Sequence, residues 1–274
     1  MTVRVPAADA VARAAADSPL TEGPAFSGLA DADELRFRDE IEPELRGDGV
    51  VSWMARKELA HKLAHVLRHA AVRPAGTVVE LGAGTCWLSA TLARHPAVER
   101  VVAVEFSRHR LEQLAPIAIA ALGAPAAKVE RRRADFNAPG LPDGCADLVV
   151  TDAAFHHAAD PDHLAAVAFA LLAPGGSLLL FREPTLALLR RTRDHGIEGQ
   201  HGSFEHEDTA AGYERRLRAA GFADVRRVAA PGATGRRGRM LLRPPLSWLN
   251  GIAFAEYAYV GTRAGPGRPG RSRG

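Results

Sequence analysis

Five short runs, Thr77–Leu81, Arg100–Glu105, Lys128–Ala134, Asp147–Thr151 and Ser177–Arg182, recur with helix-length segments between them. Most are apolar without strict alternation, as strands covered on both faces are. The segments 87–95, 107–122 and 160–172 carry helical patterns. An order of βαβαβαβαβ leaves few architectures. Parallel neighbours need a crossover, and right-handed crossovers build an open sheet with helices on both faces. The expected fold class is therefore α/β, a doubly wound, mostly parallel sheet.

The chain continues with Pro174-Gly175-Gly176 as a turn into the fifth run, a helix near 184–195, a polar stretch over 196–208 and a helix near 209–220. Residues 224–230 and 254–261 read as last strands, with a long connection over 231–250. Before the sheet, Ser52 is a plausible N-cap for a helix to about Ala71, with Leu59, Leu63, Val66, Leu67 and Ala70 on one face. A more charged helix is expected over 31–46. We read 1–75 as an N-terminal helical cap or lid, 76–262 as the main domain and 263–274 as a disordered basic tail.

Composition narrows the function classes. With 47% hydrophobic and 24% charged residues among 274, the chain has the balance of a globular protein. No apolar run reaches the roughly 18 residues of a membrane span. The N-terminus has no secretory apolar core. Two cysteines, Cys86 and Cys145, cannot build a disulfide framework, so a cytoplasmic location is expected. Four arginines and no acid follow Thr262; without them the formal charge goes from +3 to −1. A near-neutral body does not steer nucleic acid, and no such partner is expected.

The most informative stretch runs from Val78 to Leu88: Glu80-Leu81-Gly82-Ala83-Gly84-Thr85-Cys86, between a strand and a helix. Two glycines allow a tight turn and close approach of a ligand. Trp87 stands where a dinucleotide fingerprint needs a third glycine, so a pyrophosphate fits poorly. One strand later Glu105 stands where a carboxylate can accept both hydroxyls of a ribose. One strand further, Asp135 and Phe136 can bond an adenine amino group and cover its ring. All three strand ends lie on the edge where open α/β sheets bind ligands.

These residues resemble the class I S-adenosylmethionine-dependent methyltransferases, in particular the small bacterial "methyltransferase type 11" group. The likeness rests on ELGAGT at 80–85, the acid of VVAVE, ADF at 134–136, DLVV followed by AAFHH at 147–157, and LLAPGGSLLLFREP at 171–184. It covers about Thr77 to Arg182 and, more loosely, the stretch to Val228. Cys86 stands where the family often has a third glycine. The resemblance implies a Rossmann-like methyltransferase fold and S-adenosylmethionine as cofactor. Gly82 and Gly84 would pass under its methionine part, and Glu80 would order the turn and help hold the amino group. Glu105 would take the ribose, with Asp135 and Phe136 at the adenine.

Catalytic candidates follow the fourth strand: Asp152, lining the site, and His156 or His157 as a base, because imidazole titrates near neutrality. Each also has a plain reading as loop structure. Arg182 reads as a salt bridge to Glu183 or the lid, or as a clamp for an acceptor anion. Trp53 and Met54 read as core or as a lid contact. Glu58, His61, His65 and His69 share a helix face, and 195–208 is rich in His, Glu and Asp. Both read as solvated polar stretches, and no metal is expected. The expected function is methyl transfer to a small molecule, in specialised metabolism. The alternatives are an RNA or protein acceptor, or a chain that keeps the fold without methylating.

Overall fold

The computed structural model describes residues 4–24, 49–186, 208–229 and 256–265. In chain order these form α1 (Ala8–Asp17), β1 (Leu20–Glu22), α2 (Gly49–Arg56), α3 (Leu59–His69), β2 (Gly76–Leu81), α4 (Trp87–Ala93) and β3 (Val98–Glu105). There follow α5 (Ala115–Leu122), β4 (Val129–Arg133), β5 (Ala146–Asp152), α6 (Pro161–Leu171), β6 (Leu172–Leu186), β7 (Asp208–Thr209), α7 (Ala210–Ala219), β8 (Ala223–Ala229) and β9 (Glu256–Thr262). The sheet runs β1-β4-β3-β2-β5-β6-β9-β8, with β7 paired to the end of β6. Every pair from β1 to β6 is parallel; β9 is antiparallel to both neighbours. The doubly wound, mostly parallel sheet expected from the alternation is present. Strand order reverses between β2 and β5, which opens a crevice at their carboxyl ends.

The unbroken apolar runs have a simple cause. Successive strand residues point to opposite faces. Val78, Val101, Leu148, Val150, Leu179 and Phe181 join a core with α2, α3, α4 and α5. Their neighbours Val79, Val102, Val149, Leu178 and Leu180 join a second core with α6 and α7. Both faces are buried, so both residue sets are apolar. The start of α6 is conventional: the Asp160 carboxylate accepts from the N–H groups of Asp162 and His163, with Pro161 following.

Three expectations about the helices are corrected. The single helix from Ser52 to Ala71 is two helices, broken at Lys57–Glu58 with Glu58 in the left-handed region at φ 52°. No glycine or proline announces that break. Ser52 sits inside α2 and caps nothing, although the apolar face through Leu59, Leu63, Val66 and Ala70 is buried as read. The helix expected from 184 begins as strand, because β6 continues to Leu186. Pro184 would suit the first position of a helix as well as a strand, so the sequence does not mark this boundary. Residues 187–207, like 25–48 and 230–255, lie outside the described residues.

The N-terminal region also adds a strand. β1 pairs with β4, and Arg131 of β4 holds it there. Buried Arg131 donates to the Ser18 hydroxyl and to the carbonyls of Ala15, Ser18 and Leu111. Helices α1 and α2 pack on α5, in the layer on one face of the sheet. At the other end, Arg263 is bonded, not loose. Its Nη1 donates to the carbonyls of Phe169, Ala170 and Leu172 at the end of α6, and its guanidinium lies 5.0 Å from the Phe169 ring. A disordered tail beginning at 263 is therefore wrong by at least this residue. Among the described residues no helix is long and apolar enough to cross a membrane.

Candidate functional site

The glycine turn leaves β2 and is fastened to the end of β3. Gly82 and Ala83 donate to the Val104 carbonyl, each at 2.9 Å. Gly84 donates its N–H to Glu105 Oε2 at 2.7 Å, and Ser107 donates to Oε1 at 3.0 Å. Arg110 Nη1 stands 3.6 Å from the same carboxylate. Gly82 and Gly84 take positive φ, 75° and 54°, where glycine is favoured. A Cβ on Gly82 would come within 2.8 Å of the Ala154 Cβ, so the turn lies directly against the loop after β5. A Cβ on Gly84 would meet only Arg110 Nη1, at 4.0 Å. Cys86 also has positive φ, 59°, which is why glycine suits that position.

Glu80 is wholly buried at the floor of this turn. Its Oε2 accepts from the backbone N–H and hydroxyl of Ser89 in the first turn of α4, and its Oε1 has no partner. Burial, reinforced by the nearby Asp152 and Glu105 charges, pushes its carboxyl well above the ordinary range. Ser89 was not singled out in the sequence. Beyond β4, Asp135 Oδ1 accepts from the Asn137 backbone and side chain at 2.8 and 2.9 Å. Phe136 is half-buried against the second core. Strand β4 stops at Arg133, so both residues belong to the loop beyond it.

At the next strand ends an ion pair and a carboxylate–imidazole hydrogen bond stand side by side. Asp152 is gripped by Arg182 through Nε–Oδ1 and Nη2–Oδ2 at 2.6 and 2.7 Å. Trp87 Nε1 donates to Oδ2 at 2.6 Å. Asp152 thus serves as a buried anchor between β5, β6 and α4. The salt bridge from Arg182 to Glu183 is replaced by this one, because Glu183 turns to the loop. Its Oε1 accepts from Thr151 Oγ and the N–H groups of Ala154 and Phe155; its Oε2 accepts from His156 N and faces His156 Nδ1 at 2.8 Å. Burial acts to raise the Glu183 carboxyl, but the His156 hydrogen bond, its charge and the backbone donors outweigh burial and hold it below the usual range. His157 is exposed, its ring 4.0 Å from that of His156.

The remaining candidates are structural here. Met54 is buried in the first core and Trp53 packs against it. His65 and His69 stack on each other at 3.9 Å. Among the described residues no cluster of His, Cys, Asp or Glu is arranged to hold a metal.

Residues 79–180 match the model of the methyltransferase domain family. The sequence gives no match among curated proteins. Among solved structures it is similar to a chain of the complex between the Haloferax volcanii Trm112 methyltransferase activator and a methyltransferase. That likeness has 19% identity and TM-score 0.59, covering 86% of this chain and 100% of the other. It is similar to an S-adenosylmethionine-dependent methyltransferase from Mesorhizobium loti at 19% identity and TM-score 0.53, covering 74% and 98%. It also resembles Haemonchus contortus phosphoethanolamine N-methyltransferase 2, in complex with S-adenosyl-L-methionine, at 13% identity and TM-score 0.59, covering 88% and 61%. Residues 79–180 therefore carry a methyltransferase domain, and the sheet around them has the class I S-adenosylmethionine-dependent methyltransferase fold.

Proposed function

We propose that this chain methylates a small-molecule acceptor, with S-adenosylmethionine as donor and the crevice beside β2 and β5 as its site. The observation that carries this reading is the hydrogen bond from Gly84 to Glu105, which sets a glycine turn and a carboxylate side by side at two strand ends. Two features suit the cofactor. The space above Gly84 is open to 4.0 Å, and Glu80 keeps a buried oxygen without a partner. Gly82, Gly84 and Glu80 would hold the amino-acid part. Glu105 would accept from the ribose: its two hydrogen bonds from backbone N–H groups leave lone pairs on both oxygens. Asp135 and Phe136 would hold the adenine.

The cofactor supplies an electrophilic methyl on a sulfonium. The chain's own work is to align the acceptor, exclude water and, for a hydroxyl or ammonium acceptor, remove a proton. His156 and His157 are the groups proposed for that proton. Asp152 lines the site from its pair with Arg182. The loop 152–157 would border the acceptor pocket. A small acceptor suits a body whose formal charge without its last 12 residues is −1. Salt-dependent RNA binding would instead favour a macromolecular acceptor.

Calorimetric titration with S-adenosylmethionine and S-adenosylhomocysteine tests the reading. The wild type binds both. Glu105→Ala, checked for folding because Glu105 also holds Gly84 and Ser107, loses charged hydrogen bonds of about 1.5–3 kcal/mol each. No binding by the wild type points to a chain that keeps the fold without methylating.

A further inference from the structure

The geometry points to Glu183 as a positioning residue that holds His156 as a base through Nε2, and to a hydroxyl as the acceptor's reacting group; this rests on the methyltransferase reading above. Glu183 is wholly buried and ionised below the usual carboxylate range, so it only accepts. The 2.8 Å contact to His156 Nδ1 then requires the proton on Nδ1. The lone pair of neutral imidazole is left on Nε2, which makes no hydrogen bond to any described residue.

The loop is fixed independently of the ring. Thr151, Ala154 and Phe155 bond to Glu183 Oε1, whereas the ring uses Oε2. Among the described residues the neighbouring titratable groups have partners of their own. Tyr213 from α7 donates to the Pro184 carbonyl, Tyr259 from β9 bonds with Thr185, and burial pushes both hydroxyls far up, so neither carries charge. Asp152 and Arg182 are committed to each other. His157 is the remaining titratable neighbour.

A base held beside a buried carboxylate suits an acceptor that does not ionise unaided, a hydroxyl rather than a thiol or an amine, whose neutral form already carries the attacking lone pair. The O–H proton passes to Nε2, and the oxygen's electron pair forms the O–CH₃ bond. The C–S electron pair stays on sulfur, which leaves as a neutral thioether. The imidazolium formed is stabilised by Glu183 and returns its proton to water.

The test uses the full chain with ¹⁵N-labelled histidine. At neutral pH the ring of His156 shows Nδ1–H in the wild type. In Glu183→Gln the amide oxygen serves Thr151, Ala154 and Phe155, while the amide N–H faces both Nδ1 and the backbone N–H of His156, so the ring changes to Nε2–H in a variant whose folding is checked by its melting temperature. In parallel, transfer of a radiolabelled methyl is measured to small phenols and alcohols, and to thiols and primary amines. We expect transfer to hydroxyls, lowered about 10²–10⁴-fold in His156→Asn and in Glu183→Gln, with S-adenosylhomocysteine affinity unchanged. A wild-type ring protonated on Nε2 overturns the proposal even if Glu183→Gln fails to fold. Methylation of thiols or amines but no hydroxyl overturns the acceptor class. Absence of S-adenosylhomocysteine binding overturns the underlying reading, and leaves the tautomer result standing apart from it.

Discussion

Replacing Asp152 by Ala separates an anchor from a catalytic group. The carboxylate and the guanidinium it grips are only 6% and 9% exposed. Removing one member of such a pair strands the other charge away from water. That costs about 3–5 kcal/mol, far more than a surface pair is worth. The Trp87 N–H loses its acceptor at the same time, within that range, because the two losses share one site. For a chain of this size the melting temperature should fall by about 6–20 °C. The double variant Asp152→Ala/Arg182→Met should recover part of the loss, since no unpaired cation remains. Scanning calorimetry of the four members of the cycle gives the coupling directly. If Asp152→Ala melts within a few degrees of wild type and binds cofactor normally while transfer disappears, Asp152 acts on the reaction and the anchor argument is wrong.

Three further outcomes are expected. Gly84→Val should abolish measurable S-adenosylmethionine binding by calorimetry, because a β-branched residue resists a φ of 54° and its side chain fills the open space above the turn. Glu80 has a raised pKa, so its share of stability is full below its ordinary value of 4.5 and is lost as pH rises through the folded value. Glu80→Gln should flatten that decline in a plot of melting temperature against pH; Glu183, with a lowered pKa, contributes the opposite slope as pH falls below 4.5. Arg263→Ala should destabilise by about 1–3 kcal/mol through the lost carbonyl contacts, measured by urea unfolding, whereas removing only 266–274 should not.

The fold was legible because parallel strands buried on both faces leave long apolar runs, and because glycines mark the turn where β2 becomes α4. The positions of Glu80, Gly82, Gly84 and Glu105 followed from strand ends in consecutive βα units. What spacing could not show are contacts between residues far apart in the chain. Trp87 reaches Asp152 across 65 residues and His156 reaches Glu183 across 27. Arg182 and Glu183 invited pairing with each other because they are adjacent. Adjacent residues on a strand face apart, so each instead finds its partners on the 151–156 segment, Arg182 on Asp152 and Glu183 on the residues flanking it. β1 was missed because three residues, Leu20-Thr21-Glu22, carry too little pattern; Arg131, the first of three consecutive arginines, is what holds the segment before them.

The end of β6 shows why the Asp152–Arg182 pair and the Glu183–His156 hydrogen bond occur together. Its register against β9 shifts between Leu180 and Glu183, and Arg182 takes a φ of 56°. A non-glycine residue there costs roughly 1–2 kcal/mol. Such a residue persists only where its surroundings over-determine it. Here both sides do: the fork on Asp152 fixes the Arg182 side chain, and five donors from the 151–156 segment fix Glu183. A bulge re-aims side chains at the end of a strand. In this chain it lets neighbouring residues serve different tasks, one tying β5 and α4 to the sheet, the other holding the histidine loop against the glycine turn. The strain and the imidazole's orientation are thus set by the same two residues, and a change that relaxes the bulge, such as Arg182→Gly, would disturb His156 without touching it.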